Sequence, residues 1–276
     1  MGILSIFNSK ILSGTTIALV MGITLSVSSN ANEAYISVNG AGVDLTITQD
    51  GDNNQVGTSS KKLSVNGSNN TIFIFQDGQW NQVFYVSTWG SQTAGGGDIN
   101  GNNNNIKIEQ YQTVGTDVNK VGMHIPSSGN NVHICQGKSF SDMNSANCNT
   151  STAEYGGHTV DLDLHSGGND IKISQETGTA NADHTIKLYT YGGENNDVFM
   201  KQLGNGNKYA QLIIRTDGGE QSIVQTGDGA HSTTIDLRGS YHTDLSLVQE
   251  GGTNQTYNLT QNCQTSGGCA LSVTQN

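Results

Sequence analysis

The sequence predicts an all-β protein: a β-solenoid of about nine two-strand rungs, stacked in parallel and in register, with ladders of Asn and Gln side chains. Nine glutamines recur at spacings of 23 to 39 residues, and each ends a short run in which apolar residues alternate with polar ones. Such alternation is typical of β-strands, and a recurring unit of this length indicates a stacked repeat fold. The 36 glycines and the single proline, Pro126, are consistent with many tight turns between strands.

The first 31 residues are predicted to be a signal peptide, so they are set apart from the fold. Lys10 supplies a positive charge, residues 11–27 are apolar or small, and Ser29 and Ala31 are small residues where signal peptidase requires them. The stretch is short for a transmembrane anchor, which needs about 20 strongly apolar residues. We expect cleavage after Ala31, a short leader over residues 32–42, and the solenoid over residues 43–276.

The repeated string is N-x-ϕ-x-ϕ-x-Q, in which ϕ is an apolar residue, and several copies lack the leading Asn. Because side chains alternate along a strand, the Asn, both ϕ residues and the Gln lie on one face. In a parallel stack identical amides lie above one another and can hydrogen-bond along the axis, which offsets the cost of burying them. The predicted ladder residues are Gln49, Gln76, Gln110, Gln136, Gln175, Gln202, Gln225, Gln249 and Gln275, with Asn54, Asn70, Asn81, Asn104, Asn130, Asn169, Asn196, Asn207 and Asn254.

A turn signal follows many of these strands. Four glutamines begin the fuller motif Q-x-G-x-x-N, and a fifth keeps the glycine alone. Gly and Asn at these offsets suit a tight turn with positive φ. The predicted turn glycines are Gly51, Gly78, Gly204, Gly227 and Gly251. A second alternating run follows in most repeats, so each repeat is expected to contain two strands and two turns.

The four cysteines form two pairs that are local in sequence. In an exported chain this arrangement favours the disulfides Cys135 to Cys148 and Cys263 to Cys269, although four cysteines allow three pairings. A zinc site is the alternative, and it is disfavoured because no C-x-x-C motif occurs and the pairs lie far apart.

The unit ϕ-x-ϕ-x-Q-x-G-x-x-N, followed by a second strand, resembles the curlin repeat from about Val43 to the C-terminus. The resemblance implies a structural subunit of an extracellular curli-like amyloid fibre, which polymerises by templated strand addition for surface adhesion and biofilm matrix. It also implies export through the periplasm and an outer-membrane curli pore with accessory factors, and partnership with further copies and other curlin-like subunits. The insertions at residues 92–100, 112–119 and 138–157 depart from the curlin pattern, and the roles of major subunit and minor nucleator both stay open.

The sequence gives little support to other classes of function. It has no nucleophile, phosphate-binding or dinucleotide motif, and its seven histidines are scattered and predicted to be on the surface, so we expect no enzyme, cofactor or metal site. A net charge of −11 disfavours nucleic acid as a partner.

A monomeric β-solenoid adhesin or carbohydrate-binding module is the alternative function. It would use the aromatic residues around Phe73, Phe75, Trp80 and Trp89, and Phe73 and Phe75 have the outward parity of their strand. A loop, such as the insertion near Gln92, could instead fold over these rings, and both outcomes are open.

Overall fold

The structure, a computed structural model, describes residues 20–25, 32–39, 42–83, 98–112, 118–138, 145–148, 155–164, 167–176, 183–190, 196–215 and 219–276. Regular structure in these residues consists of β-strands alone, and they therefore include no helix able to cross a membrane. The strands in chain order are β1 Val20–Leu25, β2 Glu33–Ala34, β3 Ile36–Asn39, β4 Asp44–Gln49, β5 Gln55–Val56, β6 Leu63–Asn66, β7 Thr71–Ile72, β8 Phe75–Gly78, β9 Gln82–Val83, β10 Asp98–Asn100, β11 Asn105–Gln112, β12 Lys120–Val121, β13 His124–Ile125, β14 Asn131–Gln136, β15 Thr159–Val160, β16 Asp170–Ile173, β17 Asn196–Val198, β18 Ile213–Arg215, β19 Gly219–Gln225, β20 His231–Gly239, β21 Thr243–Gln249, β22 Gln255–Cys263 and β23 Cys269–Gln275.

The strands that carry the repeated glutamines form one parallel sheet, here called the Gln sheet. Its order is β1-β4-β7-β11-β14-β16-β17-β19-β21-β23, and β8 continues the level of β7 by pairing with β4 and β11. The pairing is in register: Gln225 lies beside Gln249, which lies beside Gln275. The predicted β-solenoid with parallel, in-register stacking is confirmed.

Within the described residues, the opposite side of the solenoid is continuous only in the last rungs. There β20 and β22 are single strands of nine residues that face the Gln sheet, as the two-strand plan predicts. In the earlier rungs two short strands replace the one, as β5 and β6 do. They are separated where Gly57 takes a φ of 69° and Thr58 and Lys61 close a hydrogen-bonded turn.

The core lies between the two sides as columns of stacked side chains. One column runs through Leu45, Ile72, Ile106, Val132 and Ile171, all buried to 1% exposure or less. Each residue lies above its equivalent, so neighbouring rungs bury each other's apolar faces, which a single rung cannot do. The same column contains Gln221 in the shortened repeat, and its Nε2 donates a 2.6 Å hydrogen bond to the carbonyl of Thr243.

The stack begins earlier than the sequence predicts. Strands β2 and β3 lie in the segment expected to be a leader, and they pair in parallel with β5 and β6. Strand β1 lies inside the predicted signal peptide and pairs with β4. The rest of that peptide, residues 1–19 and 26–31, is outside the described residues, so the predicted cleavage site is too.

Candidate functional site

The repeated glutamines line one buried corner of the solenoid. Eight have no exposed surface, and Gln275 in the last rung is half-buried. Several also donate to a carbonyl of the opposite side, as Gln136 does to Lys120 at 3.2 Å and Gln202 to Thr185 at 3.1 Å. Amide hydrogen bonds of 2.7 to 3.0 Å along the axis join Gln110 to Gln136, Gln175 to Gln202, Gln225 to Gln249, and Gln249 to Gln275.

A second ladder consists of the asparagines that precede the Gln-sheet strands. Its members are at most 1% exposed, and the Oδ1 of each one except Asn196, the last, accepts the backbone N–H of the equivalent residue in the next rung. The N–H of Asn104 reaches Asn70 Oδ1 at 2.9 Å, for example, and that of Asn196 reaches Asn169 Oδ1 at 3.0 Å. The ladder comprises Asn70, Asn104, Asn130, Asn169 and Asn196.

A third column, here called the turn column, lies where the Gln sheet turns into the opposite side. Each member is followed directly by a residue of the opposite side, and the parallel pairing of those following residues shows which side chains stack in the column. It begins with amides and continues with titratable side chains, and all members except the two at its ends are buried to 1% exposure or less. In order they are Asn32, Asn54, Asn81, Asn119, His158, His184, Lys208, His231 and Gln255.

The side chains of the turn column other than His158 hydrogen-bond to backbone carbonyls, mostly those of the turn. Asn54 Nδ2 donates to the carbonyls of Asp50 and Gly78, both at 2.9 Å. Lys208 Nζ donates to the carbonyls of Gly227 at 2.8 Å and Gly229 at 3.0 Å. The Nε2 of His184 hydrogen-bonds to the carbonyl of Gly204 at 3.1 Å. An ammonium or imidazole therefore replaces an amide as donor.

Two predicted ladder residues lie outside the ladders. Asn207 and Asn254 are exposed, and the residues after them, Lys208 and Gln255, occupy the turn column. The turns after Gln202 and Gln249 are one residue longer than the turn after Gln49, so the same Q-x-G-x-x-N spacing places the Asn outside. The histidines also differ from the prediction of surface positions, because His158, His184 and His231 in the turn column and His133 on β14 are buried. Alternation within strands gives no signal for side chains in turns.

The predicted turn glycines all have positive φ, between 85° and 99°. In a continuous stack each also lies against the backbone of the next rung. A Cβ on Gly78 would lie 1.7 Å from the carbonyl oxygen of Gln112, and one on Gly204 would lie 2.1 Å from that of Gly227. Gly51, Gly78, Gly204 and Gly227 therefore require glycine both for the turn and for the close approach of the rungs, whereas Gly251, in the last rung, requires it for the turn alone.

The last rung, β22 and β23, leaves its inner face partly open. Among the described residues no strand pairs with the outer edge of either strand. Leu259, Leu271 and Val273 point toward the core and pack on it, yet they are only half-buried, whereas their equivalents Ile235, Leu245 and Leu247 are at most 1% exposed. This rung is the candidate assembly edge.

Both favoured disulfides are present. Cys135 bonds Cys148, and Cys263 bonds Cys269 across the loop between β22 and β23, with Cα atoms 5.8 Å apart. The second bond joins the two strands of the assembly edge.

Replacing Cys263 and Cys269 together with serine should loosen the last rung. Cross-linking a loop of this size lowers the conformational entropy of the unfolded chain and so stabilises the folded state by about 2 kcal/mol. Hydrogen exchange should accelerate over residues 255–275 and stay unchanged over residues 42–83. Unchanged exchange in the last rung, or free thiols in peptide mapping of the unreduced parent chain, would contradict this prediction.

A cleft of about 340 Å³ opens on the outer face of the Gln sheet. The rings of Phe73 and Phe75 lie nearly parallel, 6.5 Å apart, and Tyr111 lies 5.5 Å from Phe75. Asn147 and Cys148 form another wall, so the segment beside these rings comes from the 138–157 insertion. The residues near Gln92, expected as a possible cover, and Trp89 lie outside the described residues.

Glu109 lies in the floor of this cleft, beside His133 at 3.0 Å. Burial raises its pKa, but hydrogen bonds from His133, Lys107 and Tyr111 outweigh burial and lower the pKa to about 2. Burial lowers the pKa of His133. Glu109, His133 and Cys148 lie close enough together to suggest a metal site, but the Cys148 sulfur is held in its disulfide.

No protein-family model, curated protein or solved structure matches this chain.

Proposed function

We propose that this chain is a structural subunit of an extracellular curli-like amyloid fibre, which grows when one copy stacks its rungs on another. The observation that carries the proposal is the last rung, where Leu259, Leu271 and Val273 are half-exposed above a continuous core. Unpaired strand edges of this kind template the addition of another strand, and the added strand buries the exposed apolar surface.

The two ends of the described stack have matching sequences of strand types. A rung added after β23 would consist of a short split strand followed by a Gln-sheet strand. In a second copy of the chain, β2 and β3 form the split strand and β4 is the Gln-sheet strand. In the proposed contact β4 of a second copy pairs with β23. Gln49 of the second copy then lies beside Gln275 and continues the amide ladder. Removal of β1 by the predicted cleavage would free the edge of β4.

Export and location follow from the same proposal. The predicted signal peptide sends the chain to the periplasm, and an outer-membrane curli pore with accessory factors would release it to the cell surface. There it would serve adhesion and biofilm matrix, with its own copies and other curlin-like subunits as partners. A minor nucleator would use the same edge to start a fibre rather than to extend it.

The test compares the chain from Asn32 onward with two double variants of β23. Leu271→Lys with Val273→Lys places charges on the inner face of the edge, whereas Ser272→Lys with Thr274→Lys places them on the exposed outer face. The parent and the outer-face variant should form fibres that bind thioflavin, grow after a lag and give a meridional reflection at about 4.8 Å. The inner-face variant should not elongate.

A soluble parent with stable β-sheet circular dichroism and no fibres would contradict the fibre proposal. It would favour the second candidate, a monomeric adhesin that binds carbohydrate through the outer cleft. The near-parallel rings of Phe73 and Phe75 favour that candidate, since flat aromatic surfaces stack on sugar rings. Retention on insoluble polysaccharide, lost on Phe73→Ala and kept on Ser246→Ala, would support it.

A further inference from the structure

The turn column changes its chemistry half-way along the solenoid. Its first four members are neutral amides, whereas the next four are three histidines and one lysine, all buried. Rungs lie about 4.8 Å apart, and the ring centroids of His158 and His184 are 4.9 Å apart. Lys208 follows at the next level and His231 at the one after it. Four titratable groups are thus stacked in one buried line.

The surroundings favour a single positive charge in this line. Lys208 Nζ has the carbonyls of Gly206, Gly227 and Gly229 as acceptors. Burial lowers the pKa of Lys208 to about 8, and the nearby carboxylate of Asp228 opposes this by favouring the charged ammonium. Charge on Lys208 in turn disfavours protonation of the imidazoles on either side, His184 and His231.

Among the described residues, no carboxylate contributes to the electrostatic surroundings of His158, His184 or His231. The His158 ring lies beside the His184 ring and the carbonyl of Tyr155, while the backbone N–H of His158 donates to Asn119 Oδ1. The ring of His231 faces Lys208 and the carbonyl of Thr226. Burial lowers the pKa of His158 to about 3, and burial also lowers the pKa of His184 well below its ordinary value. Burial likewise lowers the pKa of His231, so the folded rungs favour the neutral form of all three imidazoles.

We propose that this column makes the C-terminal half of the solenoid open in acidic surroundings, and so restricts growth at the assembly edge to neutral pH; the proposal rests on the fibre function above. Opening exposes the imidazoles to water, where they take up protons freely. The N-terminal amide half of the column has no group that responds in this way. The boundary lies between Asn119 and His158.

The direction follows from proton linkage. A base whose pKa is lower in the folded state stabilises that state fully above its ordinary pKa of 6.5. This stability is lost as the pH falls from 6.5 toward the folded value, which for His158 is about 3. Between pH 7.5 and pH 5.0 the opening equilibrium should rise about 30-fold from His158 alone.

Hydrogen exchange of the secreted chain at pH 7.5 and pH 5.0, corrected for the intrinsic rates, measures this opening. We expect protection over residues 155–239 to fall about 30-fold or more at pH 5.0, and protection over residues 42–83, which contain no histidine, to change little. Equal behaviour of the two halves would overturn the proposal.

Variants then assign the effect to the column. His158→Asn with His184→Asn extends the amide column and should remove most of the pH dependence. His231→Gln, which copies the residue at the level of Gln255, should reduce it and serves if the double variant does not fold. The matched control is His242→Asn at an exposed histidine, which should keep the parent response. If the column variants kept the full pH dependence of the parent, the effect could not be assigned to the turn column and the proposal would be overturned.

Seeded fibre growth at the two pH values separates this inference from the fibre function. If the parent extends fibres slowly at pH 5.0 and the double variant extends them there at its neutral-pH rate, the result would support both the pH regulation and the fibre function. Equal extension at both pH values would overturn the regulation and leave the fibre function supported. Acid opening with no fibres at either pH would support the column as an acid-sensitive element and overturn the fibre function.

Discussion

Replacing Gly227 with alanine should disrupt the solenoid, whereas the same replacement at Gly251 should be far milder. Both glycines have positive φ, 85° and 99°, so both variants carry the strain of a left-handed alanine, about 1–2 kcal/mol. Only at Gly227 does the new Cβ meet backbone, since it would lie 2.4 Å from the carbonyl oxygen of Gly251. A Cβ on Gly251 would have its nearest neighbour at 3.7 Å.

We therefore expect Gly227→Ala to lower the free energy of unfolding by more than about 4 kcal/mol, which is exceptional for one substitution. Gly251→Ala should lower it by about 1–2 kcal/mol. Gly252→Ala is the control without a nearby atom, and it should be near neutral. Urea unfolding followed by circular dichroism measures all three. Equal losses at Gly227 and Gly251 would show that the rungs do not approach each other as closely as described.

Replacing Asn104 with aspartate should break the asparagine ladder without leaving a cavity, because the two side chains have almost the same shape. Asn104 Nδ2 donates to the carbonyl of Ser127 at 2.8 Å, and its Oδ1 accepts from the N–H of Asn130 at 2.9 Å. A carboxylate places an oxygen against the Ser127 carbonyl and buries a charge, and no cation among the described residues hydrogen-bonds to this side chain. We expect a loss of about 3–5 kcal/mol at pH 7.

The neighbouring residue supplies the matched control. Asn105 carries the same side chain but is exposed, so Asn105→Asp should change the stability by less than about 1 kcal/mol. Burial raises the pKa of a carboxyl, and protonation makes it a donor again. The difference in the free energy of unfolding between the parent and Asn104→Asp should therefore become smaller as the pH falls, when both proteins are unfolded at the same pH. A deficit independent of pH would argue against a buried carboxylate.

Periodicity alone was sufficient to predict the parallel stack and the contents of the Gln sheet. The alternation places Ile106, Ile108 and Gln110 on one face of a strand, and recurrence of that string leaves few other ways to bury it. All nine predicted glutamines occupy the predicted column, as do the five leading asparagines. The local pairing of the cysteines also matches the sequence interpretation.

The turns are where sequence reasoning failed, because a turn residue is buried or exposed according to the rung that stacks above it. Asn54 and Asn207 stand at the same distance from their glutamines, yet one extra residue in the later turn moves Lys208 inward in place of Asn207. His158 follows a long insertion, and only the pairing of β12 with β15 reveals that it shares a column with Asn119.

The repeat, the strand faces and the amide ladders thus follow from the amino-acid pattern alone, because they depend on alternation within single strands. The point where the stack begins, the division of the second strand and the side chains of the turn column follow only from how the rungs pack. Those features depend on contacts between residues 22 to 39 positions apart, such as Asn32 with Asn54 and Asn119 with His158, which no local pattern records.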